Sequence, residues 1–342
     1  MNKEEKIFRK KLIATIENFE KESECLAKHF DQKNCSLSKP IIGSHSVAIS
    51  TALSQIEEKG MVYARKMDIT RNFHILDLNQ GKMDVPFEPK PISVASVFPG
   101  FCENHDRELF NQIDKPITNF DSEILLQLHY RAISYECFHK IQSIKVCEYI
   151  KRENPLYPIN QKLSNEQECL DAINKSMSVC EKAYLAKEYD QSIKGAVFSF
   201  GIKTPTVCVG CWFPELDLDG NPLFDLYNHK DIPVMAFTLS GDASGNAFFS
   251  ITYTDDDENS SIEKFIANIN TNHLHSNLLL NKLIIFSLIH SQNSYSRPSW
   301  FQSLKKEEKD FINFQFNNYE NDHYQDLSKD ILKIPCLGKR IR

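Results

Sequence analysis

Glycine is scarce in this chain, at 11 of 342 residues, and several signatures that depend on it are missing. There is no GxGxxG and no GxxxxGK[ST], so no backbone cradle for a dinucleotide or a nucleotide phosphate chain is expected. Long apolar runs are missing as well. The most apolar stretch, "LLLNKLIIFSLI" at 278–289, contains Asn281 and Lys282 and is too short to span a bilayer. Positive charge is not in excess: 40 basic against 46 acidic residues give a net charge of −6. That excludes a chain-wide electrostatic grip on nucleic acid and leaves only a local basic face. The opening segment "MNKEEKIFRKKLIATIENFEKE" is charged throughout and lacks the apolar centre of a signal peptide. A cytoplasmic location, with no membrane contact, is expected from it. The sequence also has no GxSxG; "GDASG" at 241–245 lies between strand-like runs and reads as a turn.

Against these absences stand 41% hydrophobic and 25% charged residues, with 23 phenylalanines. Such a composition suits a globular chain with a sizeable core. The ten cysteines, placed in a reducing cytoplasm, are expected as buried thiols or metal ligands and not as disulfides.

Hydrophobic periodicity divides the chain into four parts. Residues 1–30 predict one N-terminal helix, with Ile7, Leu12, Ile16, Phe19 and Leu26 recurring among charges. Residues 31–118 are rich in Pro, Gly, Ser and Asn, with only short apolar runs, the texture of an irregular module stapled by a metal in place of a large core. Residues 119–190 are helical. Asp121 or Ser122 caps a helix whose Leu126, Tyr130, Ile133, Cys137, Ile141 and Ile144 form one stripe. Leu128, Ala132, Tyr135 and Phe138 form a second stripe, which predicts burial on two sides. The next helix is expected to start at Ser164, where Ser164 and Gln167 match a capping box. Residues 191–342 switch period. "AVFSFGI", "TVCVGCWF", "PVMAFTLS" and "NAFFSITYT" read as strands, with the last two paired as a hairpin turning at 241–245, and helices follow at 261–270, 276–291 and 303–316. The expected class is therefore α+β: a zinc-stapled irregular N-terminal module, a helical middle, and a C-terminal antiparallel sheet with flanking helices.

The irregular block carries the metal chemistry. Zinc takes sulfur and imidazole donors, usually four, gathered from pairs close in sequence. "FCENHD" supplies Cys102 and His105 at the spacing of a knuckle, and "NCSLSKPIIGSH" supplies Cys35 and a more distant His45. Together they predict a zinc site of two cysteines and two histidines. Cys25 and His29 are a reserve pair, assigned packed or solvated roles by the helical pattern around them. Cys208 and Cys211 form a CxxC in "VCVGC", but no second pair accompanies it and no helix opens after it. They read as buried thiols.

His45 has a competing reading. In "GSHSVAISTALSQI" a short apolar run, a Ser-His and a helix follow in the order of an HNH nuclease module, and the segment resembles a degenerate form of it. Ser44 stands where that family has an acidic residue or a histidine before the motif histidine. The helix offers Ser50, Ser54 and Gln55, and no histidine or asparagine to complete a catalytic site. Arg131, inside the buried-looking "LHYRAISYE", reads either as one half of a structural ion pair or as an anion contact.

The ordered segments "SHSVAIS", "ASVFPGFCENHDRELF" and "LHYRAISYE", with the late "RPSW", resemble a group of bacterial proteins. The resemblance implies that His45, Cys102 and His105 belong to one recurrent constellation, and it brings no activity with it. Three functions are expected in turn. The first is a cytoplasmic bacterial stress or anti-phage defence effector, with a structural zinc module that contacts nucleic acid or a protein partner. The second is a metal-dependent nuclease of degenerate HNH type, and the third a binding module without catalysis.

Overall fold

The computed structural model describes residues 3–21, 23–31, 33, 35–36, 43–65, 87–224, 232–255, 260–272 and 276–320. The basic tail "LGKRIR", Cys336 and the acidic run after Asp255 lie outside these residues. Among the described residues no helix is long and apolar enough to cross a membrane.

The protein is α+β, with an irregular N-terminal region, a helical middle and an antiparallel sheet flanked by helices. Helix α1 (Lys3–Lys21) is shorter than its pattern predicts. The chain leaves the helix before Cys25, which is extended (φ −60°, ψ 120°), and then forms a single 3-10 turn at Leu26–His29. The turn is pinned from outside: the Leu26 N–H donates to the Gly100 carbonyl at 2.9 Å. Leu12 and Ile16 of α1 bury against Val146, Cys147 and Ile150 in a small core of their own.

The irregular region follows. The two-residue strand β1 (Ser44–His45) pairs with β4 (Val97–Phe98), placing Ser44 opposite Phe98 and His45 opposite Val97. A π-helical turn at Ile49–Leu53 leads into α2 (Ser54–Ile56). Strands β2 (Met61–Arg65) and β3 (Phe87–Pro91) leave this region and join the main sheet. Helix α3 (Glu103–Leu109) closes it.

Helix α4 (Ser122–Glu153) starts as its sequence predicts, with the Asp121 carboxylate accepting the Ile124 N–H at 2.9 Å. Both of its apolar stripes are covered, because α4 lies between the sheet and α5 (Asn160–Ala186). Helix α5 begins a turn before Ser164. The Leu163 N–H already bonds the Ile159 carbonyl, so Ser164 sits inside the helix, where its hydroxyl donates to Glu168 instead of capping.

The sheet contains β5 (Ile193–Ser199), β6 (Thr206–Trp212), β7 (Met235–Gly241), β8 (Ala247–Thr254) and β9 (Ser294–Ser296). With β2 and β3 the order is β3-β2-β9-β6-β7-β8-β5, every neighbouring pair antiparallel. The β7–β8 hairpin turns at the expected place, with Gly241 opposite Ala247. Asp242 accepts the N–H groups of Ser244 and Asn246, and Gly245 takes φ +77°. Side chains alternate across the strands. Val207, Val209, Ala236 and Phe248 face α4. Cys208, Phe237, Leu239, Phe249 and Ile251 face the other layer. That layer is formed by α6 (Ser260–Asn272), α7 (Ser276–His290), α8 (Pro298–Ser303) and α9 (Lys306–Glu320). Helix α8 opens on Pro298, and Ser299 binds the Glu58 carboxylate through its N–H and hydroxyl.

Packing at β6 is tight enough to test. A methyl on Gly210 would approach the Phe237 ring to 2.4 Å, whereas one on Gly201 would meet nothing within 4 Å. Gly210→Ala should therefore cost about 1–3 kcal/mol. Gly201→Ala should stay within about 0.5 kcal/mol of the parent. Urea titration of both variants measures the difference, and equal midpoints would refute this account of the strand.

Candidate metal centre

Four side chains converge where the segment after α1 meets the loop before α3. The donor atoms of Cys25, Cys35, Cys102 and His105 all lie within 4.8 Å of one another. His105 Nδ1 is 3.2 Å from Cys25 Sγ and 3.5 Å from Cys102 Sγ. A tetrahedral zinc with sulfur at ~2.3 Å and nitrogen at ~2.0–2.1 Å sets its donors ~3.6–3.8 Å apart, so the four donors fit one such ion with small adjustments. Three of the four are buried and Cys35 is half-buried.

Each donor is placed by backbone structure. Cys102 precedes the first turn of α3, and the Asp106 N–H bonds its carbonyl at 2.9 Å. That turn brings His105 back over Cys102, which is why the CxxH spacing works. Cys25 arrives through the Leu26–Gly100 bond and accepts the Cys102 N–H on its sulfur at 3.4 Å. Phe30 stacks on the His105 ring with centroids 6.0 Å apart.

The thiols differ in acidity. Burial pushes the Cys25 thiol up to about 12, and burial together with the neighbouring Cys102 raises Cys35. Burial also acts to raise Cys102, but hydrogen bonds from Ser36 and from the His105 backbone outweigh it and bring that thiol down to about 6. Three thiolates this close repel one another, and a bound divalent cation offsets the repulsion. The donor set thus suits a thiophilic metal such as zinc.

His45, expected as the fourth ligand, lies outside this group, and Cys25 takes that place. The reason is the β1–β4 pairing. It aims His45 Nδ1 at the Ala95 carbonyl, 3.0 Å away, and the Ser96 hydroxyl, 3.2 Å away. Burial lowers the His45 pKa. The helix that follows contributes no catalytic ligands: Ser50 donates to the Asp114 carbonyl, Ser54 to the Ser50 carbonyl and Gln55 to the Asp242 carbonyl. His29, the other reserve residue, is exposed and is not part of the group. Cys25 left one trace in the sequence, its place among the cysteines and histidines flanking the irregular block. The helical pattern running through it hid that role.

The remaining candidates have structural roles. Arg131 is 4% exposed and paired with Asp114 at 2.8 Å, its guanidinium lying 4.2 Å from the Phe110 ring centroid. Cys208 and Cys211, three residues apart on β6, fall on opposite faces of the sheet, Cys208 in one core and Cys211 against the other. They cannot share a metal ion.

All nine cysteines among the described residues are free. Alkylation of the denatured protein without reductant, followed by mass spectrometry, should label all nine. A disulfide among them in freshly purified protein would contradict this.

No family model matches the chain, no curated protein matches it in sequence, and no solved structure matches its fold. What defines the protein is therefore its own architecture: an α+β chain with a candidate metal centre of three cysteines and one histidine.

Proposed function

We propose that the centre holds one zinc ion as a structural staple. On this reading the protein is a cytoplasmic bacterial effector of stress or anti-phage defence that acts by binding a nucleic acid or a protein partner. The observation that carries the chemical side is the closed donor set. Four protein donors leave no coordination position for a reactive water, and catalytic zinc keeps one open. The ion would tie the segment around Cys25 and Cys35 to the loop before α3, two stretches that also pack into one large core, so the metal adds to a core here and does not replace one as the sequence texture predicts. The cellular side rests on the resemblance of the "SHSVAIS", "FCENHDRELF" and "LHYRA" segments to bacterial proteins. The degenerate HNH nuclease has less support, since the polar residues that follow His45 bond backbone carbonyls.

The test is metal analysis combined with a cleavage assay. Purified protein should contain one zinc per chain and leave DNA and RNA intact in the presence of magnesium, manganese or zinc. Divalent-ion-dependent cleavage that disappears in His45→Ala would overturn the non-catalytic reading in favour of a nuclease.

A further inference from the structure

The His105 ring has two nitrogens, and Nδ1 lies against the sulfurs of Cys25 and Cys102. Nε2 is buried and has no hydrogen-bond partner among the described residues. A buried N–H left without an acceptor is costly, so its surroundings decide which tautomer the ring holds. Asp31 Oδ2 lies 3.8 Å from Nε2. The Asp31 side chain is 20% exposed and that of His105 2%, so the carboxylate sits at the rim of the site and reaches inward. Asp31 directly follows Phe30, whose ring stacks on His105 at an interplanar angle of 26°. Two consecutive residues therefore flank the imidazole, one on its face and one near its far edge.

We infer that Asp31 is a positioning residue for the metal centre, accepting the Nε2–H of His105 so that the Nδ1 lone pair stays turned toward the ion. An ordinary hydrogen bond between the two needs an approach of about 1 Å from the present 3.8 Å. The physical reason is general. A ligand histidine that donates its second N–H to a carboxylate has its tautomer fixed and its basicity raised, and loss of such a partner costs about 10–100-fold in metal affinity. The inference rests on the zinc reading above and adds to it a residue outside the donor set. Asp31 is not in a CxxH or CxxC spacing, and nothing in the sequence marks it.

The experiment uses the full chain. Zinc affinity is measured by competition with a chromophoric chelator for the parent, Asp31→Asn and Asp31→Ala. Cobalt spectra report the geometry of the donor set, and thermal melts of the metal-free forms report folding. Asp31→Ala should bind zinc about 10–100-fold more weakly. Asp31→Asn, whose amide oxygen can still accept the N–H, should lie between the two. Both variants should keep the parent's cobalt band pattern and metal-free melting temperature. Parent-like affinity in Asp31→Ala would overturn the inference, as would a loss of affinity matched by an equal loss of metal-free stability. A parent protein that binds no zinc would overturn the zinc reading itself, so the two failures are distinguishable.

Discussion

Cys25→Ser and Cys102→Ser should each lose the bound zinc, while His45→Ala should keep one zinc per chain. The expectation follows from the donor geometry. The Cys25 and Cys102 sulfurs lie 3.2 and 3.5 Å from His105 Nδ1, so each serine variant removes one of the four donors. A hydroxyl cannot replace a thiolate as a zinc ligand, and what remains is a three-donor site open to water. Structural zinc in small domains supplies roughly 10 kcal/mol or more of folding free energy. In a larger chain with other cores the loss should be partial but still several kcal/mol, enough to lower the melting temperature by several degrees. His45 should behave differently, since it hydrogen-bonds Ala95 and Ser96 instead of the sulfurs. Its alanine variant loses about one hydrogen bond, worth about 1 kcal/mol, and no metal. Zinc stoichiometry by atomic emission and melting curves of the three variants decide the matter. Full occupancy in either serine variant, or loss of zinc in His45→Ala, would show that the site is assembled otherwise.

The second large effect is acid sensitivity. His129 is fully buried, His290 nearly so and His139 half-buried, and loss of water contact lowers their pKa values to about 4, about 3 and about 4 respectively. His129 lies at the meeting point of α4, α5 and β8, with Nδ1 3.2 Å from the Thr252 hydroxyl and Nε2 2.9 Å from the Ser176 hydroxyl. A neutral imidazole donates through one nitrogen and accepts through the other, which suits two hydroxyl partners; an imidazolium can only donate. Because the unfolded chain titrates near 6.5, it binds more protons than the folded chain between about 6.5 and 4. Stability is therefore full above pH 6.5 and falls as the pH drops through that window. A shift of the size seen at His129 withdraws on the order of 3 kcal/mol once the pH has fallen to its folded value, a sizeable share of the 5–15 kcal/mol that holds a typical domain. The carboxyls of Asp106, Glu136 and Glu181 are raised by burial and act in the opposite direction, so the histidine contribution has to be isolated. His129→Gln keeps a donor and an acceptor but cannot titrate there. Urea unfolding of parent and variant at pH 7.5, 6 and 5 should show the parent losing stability faster, the difference growing by up to about 1.4 kcal/mol per pH unit. Parallel stability curves for the two proteins would remove His129 from the account.

Much of the architecture was legible in the chain because its signals are local. Helix α4 shows this best. Asp121 supplies the cap, and two apolar stripes at alternating spacings of three and four announce burial on both sides. Nothing distant was needed to read either feature. The β7–β8 hairpin is similar, with strand-forming residues on both sides of Asp242 and Gly245. The knuckle at Cys102 and His105 belongs with them, since a single turn of backbone brings the pair together. Where local signals competed, the tertiary fold prevailed. The helical spacing of α1 continues through Leu26, yet the chain turns out before Cys25, because a bond to the Gly100 carbonyl and a place beside Cys102 are available only once the molecule is folded. The capping box at Ser164 lost to a helix that had already begun at Ile159.

By itself the sequence determined the α+β class, the hairpin, the long capped helix and three of the four residues of the candidate metal centre, since each depends on side-chain periodicity or on contacts a few residues apart. The tertiary structure alone decided that Cys25 joins that centre and His45 does not. It alone set Asp31 against the far nitrogen of His105. The physical reason is the same in both cases. Which donors meet is set by strand pairing and loop closure across distances in sequence that no local pattern spans, and a cysteine or histidine carries no mark of its partner until the backbone has brought the two together.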